Sequence, residues 1–167
     1  IADFVEGHDF KKADRPTLLA ATGLNFAGPD THSPWRNYSR VLKLCLLVSE
    51  VGNKAQATPV AHVLAQTGSV TCDEYLHFLI RTFTEPSPAL EDWQPNANFR
   101  YPLLFSLKYL LTKTAIKRTP AASIAEIIGA YRVTGLVGDE DDNHFVEAVK
   151  DTSQYENVGR GVVKNLW

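Results

Sequence analysis

Apolar positions recur along this chain at helical spacing, and the pattern is written twice. Over 36–51, Val41, Leu44, Cys45 and Val48 fall on one helix face, and Gly52-Asn53 supplies a stop. Thr58-Pro59 reads as a cap with proline at the first helical position, opening a short helix that closes at Gly68. Thr71-x-x-Glu74 is a capping box for a third helix to about Phe83, with Leu76, Leu79, Ile80 and Phe83 expected on its buried face. The same order returns downstream as a helix over Tyr101–Thr114, a capping box at Ser123-x-x-Glu126, a turn at Gly135 and a helix from Asp139 to Lys150.

The two stretches also agree residue by residue. Thr67-Gly68, Val70 and His77-Phe78 align without a gap on Thr134-Gly135, Val137 and His144-Phe145. Upstream, Val60-Ala61 answers Ile124-Ala125 and Leu42-Lys43 answers Leu107-Lys108, with Ala130 to Val133 lengthening the middle helix of the second copy. Helix, short helix, glycine turn, helix is helix-turn-helix grammar. The expected fold is mainly α, built from tandem helix-turn-helix or winged-helix-like three-helix units. On this reading 1–35 is an N-terminal extension, 36–98 the first unit with its following loop, 99–152 the second unit, and 153–167 a C-terminal helix leading to a further domain. The competing reading of each unit is a helical core with no groove-binding role, since the same geometry occurs in purely structural domains.

Composition narrows the setting. With 167 residues, 44% of them hydrophobic, the chain can bury an ordinary core. Cys45 and Cys72 both fall in predicted helices, which favours free buried thiols over a disulfide. No apolar run reaches membrane-spanning length and the start has no signal-peptide form, so no membrane partner and a cytoplasmic location are expected. The absence of methionine points to a domain cut from a longer protein or a processed chain.

The net charge of −2 argues against a nucleic-acid partner, but its distribution is uneven. Arg36, Arg40 and Lys43 recur along the first helix of copy one; Lys108, Lys113, Lys117 and Arg118 lie along the matching helix of copy two and just after it. Acid gathers in Asp139-Glu140-Asp141-Asp142, where it favours a helix N-terminus and repels phosphate. Copy one is therefore the better groove reader, with His77, Arg81 and Thr84 at helical spacing off the apolar face. His77 and His144 have a second reading as half-buried structural histidines, because each precedes a phenylalanine.

Before each first helix stands an aromatic, proline-rich loop. Trp35 and Trp93 are candidates to stack on a base; Arg36, Tyr38, Arg100 and Tyr101 combine ring planes or donors suited to reading its edge. The alternative is that these aromatics lock the loops onto the core. No catalytic centre is legible: there is no acid-x-Lys nuclease element, no metal-finger spacing, no phosphate loop and no nucleophile elbow. No cofactor, metal site or enzymatic activity of this chain is expected.

In organisation, 36–167 resembles the N-terminal DNA-recognition part of a bacterial restriction endonuclease of the HNH or modification-dependent type. The resemblance rests on Thr58-Pro59 through Glu74-Tyr75-Leu76, the parallel Ser123 through Phe145, and the basic Gly159-Arg160-Gly161-Val162-Val163-Lys164. It implies a winged-helix specificity module for double-stranded DNA, including methylated DNA, with cleavage left to a downstream catalytic domain in a defence protein. Two functional classes stand: that DNA-recognition module, and a helical protein-interaction or regulatory domain.

Overall fold

The computed structural model describes residues 20, 39–51, 54–87, 89, 94, 96–119 and 121–164. Among them the protein is mainly helical, with one two-stranded sheet. The described residues form two compact units: one holds those up to Leu76 and within Ser87–Pro95, the other those within His77–Pro86 and from Asn96 onward.

The first unit departs from the expected helix over 36–51. Residues 39–44 are helical, but the chain turns at Leu46, whose φ of 57° is left-handed, and continues as strand β1 (Val48–Val51). Strand β2 (Lys54–Ala57) pairs with it antiparallel, Val48 opposite Ala57 and Glu50 opposite Ala55. Val48, Ala55 and Ala57 share the buried face, so the spacing that read as a helix stripe also carried a strand alternation. Glu50 lies on that same face and is paired with Lys43 from the helical segment. Cys45 is thus a half-buried turn residue and Cys72 an exposed one, neither of them the buried helical thiol expected; both are free.

Helix α1 (Pro59–Ala65) begins as read, with Thr58 Oγ1 accepting from the Ala61 amide at 3.2 Å and Pro59 next in the chain. Helix α2 (Cys72–Thr82) has the full capping box: the Glu74 amide donates to Thr71 Oγ1 at 3.2 Å, and Glu74 Oε2 accepts from the Thr71 amide at 2.8 Å. Its anchor in the first unit is Tyr75, whose hydroxyl donates to the Cys45 carbonyl at 2.7 Å; burial and the Cys45 neighbour push that phenol up to about 12. Of the four residues expected to be buried on α2, Leu79 is, Ile80 and Phe83 are half-buried, and Leu76 is exposed.

The second unit contains α3 (Pro102–Lys117), α4 (Ile124–Thr134), α5 (Asp142–Lys150) and α6 (Tyr155–Lys164). Phe105 and Tyr109 of α3, Ala130 of α4, Phe145 and Val149 of α5, and Tyr155 of α6 form its core. Phe105 is the hub, with ring centroids 5.1 Å from Tyr131, 5.6 Å from Phe145 and 5.9 Å from Tyr109. Each fully buried aromatic of this kind contributes about 1.5–3 kcal/mol by leaving water, and each ring pair about 0.5–1.5 kcal/mol more. Gly135 ends α4 in a left-handed turn, and α5 starts at Asp142 rather than Asp139 because Asp141 is the cap, accepting from the Asn143 amide at 3.0 Å.

Helix α6 packs back into the second unit, across the position expected as a boundary at 152. Antiparallel α4 and α6 approach so closely that a Cβ on Gly129 would lie 1.8 Å from the Tyr155 carbonyl oxygen, and one on Gly159 would lie 1.7 Å from that of Ala125. Only glycine permits backbone contact of this kind. The middle helices differ in length as the sequence indicated, 7 residues in α1 against 11 in α4.

Candidate interaction surface

Among the residues proposed for DNA contact, Lys43, Arg100, Lys108, Lys113 and Lys117 bond through their side chains inside their own unit. Lys113 is buried and donates to both carboxylate oxygens of Glu126 at 2.7 Å, with the Tyr109 hydroxyl on the same group at 2.7 Å. Glu126 is thereby drawn away from the capping box: Ser123 still caps its amide at 3.0 Å, but no reciprocal bond returns from the carboxylate. Burial, with the Glu126 carboxylate beside it, raises the Tyr109 phenol far above its ordinary range. Lys108 donates to the Glu140 carbonyl and stands 5.4 Å above the Phe145 ring. Lys113 is thus neutralised inside its unit, whereas Lys108, half-buried, keeps its charge on a neutral carbonyl.

The Arg100 side chain is engaged inside the second unit as well. The Arg100 guanidinium sits 3.6 Å above the Tyr131 ring and donates to the carbonyls of Tyr131 and Leu136, at and just beyond the end of α4. A helix C-terminus leaves such carbonyls without partners and carries partial negative charge, so a buried end of this sort recruits a cation. Tyr101 precedes α3, half-buried, and its amide donates to the Val137 carbonyl at 2.7 Å. In the first unit Lys43 is committed to Glu50.

The acidic run is likewise a local device in part. Burial acts to raise the Glu140 carboxyl, but bonds from the Val137 and Gly138 amides outweigh it and hold the group below its ordinary value. Together with Asp141 as cap, it shapes the turn into α5.

Arg40, His77, Arg81, Lys117 and Arg118 remain exposed. Lys117 and Arg118 come together at the end of α3, where Lys117 donates to the Lys150 carbonyl at 3.2 Å and Arg118 is the left-handed cap with φ 53°. His77 and His144 are both exposed, which removes the reading of them as half-buried core histidines. Trp35, Arg36, Tyr38 and Trp93 lie outside the described residues.

A different surface is conspicuous. Phe105, Tyr109 and Lys113 face the core of the second unit, and the opposite side of α3 carries Leu103, Leu107 and Leu111 at 37%, 40% and 61% exposure. Leu104 and Leu110, both half-buried, flank this row. From Leu103 to Thr114 the outward side holds no charge, a composition typical of the centre of a protein interface and not of an ordinary solvated face. The sequence carries this signal, as leucines four apart on α3 lie out of phase with Phe105 and Tyr109.

A second feature is shallow. Thr134, Leu136, Asn143, His144, Glu147 and Ala148 line an open depression of about 470 Å³ between the end of α4 and α5. Among the described residues no group of three or more His, Cys, Asp or Glu side chains is placed to hold a metal, and no helix is long and apolar enough to cross a membrane. In comparisons with known proteins, no family model, no curated protein and no solved structure matches this chain.

Proposed function

We propose that this chain is a helical protein-interaction module that engages its partner through the outer side of α3. The observation carrying this reading is a helix apolar on two opposite sides, one filling the core through Phe105 and Tyr109, the other presenting Leu103, Leu107 and Leu111 to solvent. A helix apolar all round is normally covered all round. A photo-crosslinkable residue placed at position 111 in the cell of origin tests it. The expected product is a protein adduct of defined mass that disappears with Leu107→Asp, while the melting temperature is unchanged; absence of any adduct, or a nucleic-acid adduct, sinks the reading.

The second reading keeps tandem helix-turn-helix units as a DNA-recognition module of a restriction endonuclease or similar defence protein. It is favoured by the exposure of Arg40, His77, Arg81, Lys117 and Arg118 and by the retained order α4, Gly135 turn, α5. Gel shifts with plain and methylated duplex separate the two, because DNA affinity falls steeply with added salt and an apolar protein contact changes little.

A further inference from the structure

We draw no further inference here: the strongest candidate, the apolar patch of Leu103, Leu107 and Leu111 on the outer side of α3, belongs to the interaction surface already described, and nothing in the structure shows what covers it.

Discussion

Segments 58–83 and 123–150 share their punctuation and differ in what it supports. Each opens a helix with a capped Thr or Ser, turns at a left-handed glycine, Gly68 or Gly135, and enters another helix containing His-Phe. Yet Phe145 is fully buried, while Phe78 is 38% exposed. Helix α2 begins one residue after Thr71, whereas α5 begins three residues beyond the position equivalent to Cys72, at Asp142, so the same dipeptide falls at different places in the two helices. A cap and a turn fix where a helix starts; the phase of its first turn fixes which side chain becomes core.

The two phenylalanines give the sharpest test of this difference. Phe145→Ala is expected to cost about 4 kcal/mol in chemical denaturation, since it empties the contact with Phe105, while Phe78→Ala is expected to cost under about 1 kcal/mol. Similar losses at the two sites would restore an equivalent packing role for both and break the contrast.

The two capping boxes come next. Glu126 has left its box for a buried ion pair, and Glu74 has not. Lys113→Met strands the Glu126 carboxylate beside Tyr109 and is expected to cost about 3 kcal/mol, most of it recovered when Glu126→Leu is added. Glu74→Gln, at a solvated cap, is expected to shift the melting temperature far less. A double variant no better than Lys113→Met alone would show that the pair is held for a reason other than charge balance.

The smallest effect concerns the turn into α5, which has no counterpart before α2. Glu140→Gln is expected to cost about 1 kcal/mol at neutral pH, the scale of a charge-assisted cap. Because folding lowers the Glu140 carboxyl, its contribution is present above the ordinary value of 4.5 and is lost as pH falls through the lower folded value. The gap between wild type and variant in denaturation curves is therefore expected to close on acidification. A gap that persists below that range would assign the cost to shape alone.

Local signals were readable where a short-range rule acts alone. Thr58-Pro59, Thr71-x-x-Glu74, Gly135 and the extra turn of the second middle helix all stand where the chain placed them, because caps and turns involve neighbours in sequence. The segment 39–51 is ambiguous in sequence because Val41, Leu44 and Val48 suit a helix while Val48, Glu50, Ala55 and Ala57 suit a hairpin face, and only the pairing of 48–51 with 54–57 decides between them. Arg100, Lys108 and Lys113 looked available for phosphate because their partners, the Leu136 and Glu140 carbonyls and the Glu126 carboxylate, lie 36, 32 and 13 residues away.

Backbone contact at Gly129 and Gly159 also governs how α6 can move. If α4 slipped by one turn, Ala125 or Val133, each bearing a Cβ, would arrive where Gly129 now meets the Tyr155 carbonyl. A one-turn shift is thus blocked in both directions. The two glycines therefore act as an index mark, admitting one register of α4 against α6 and no neighbouring one.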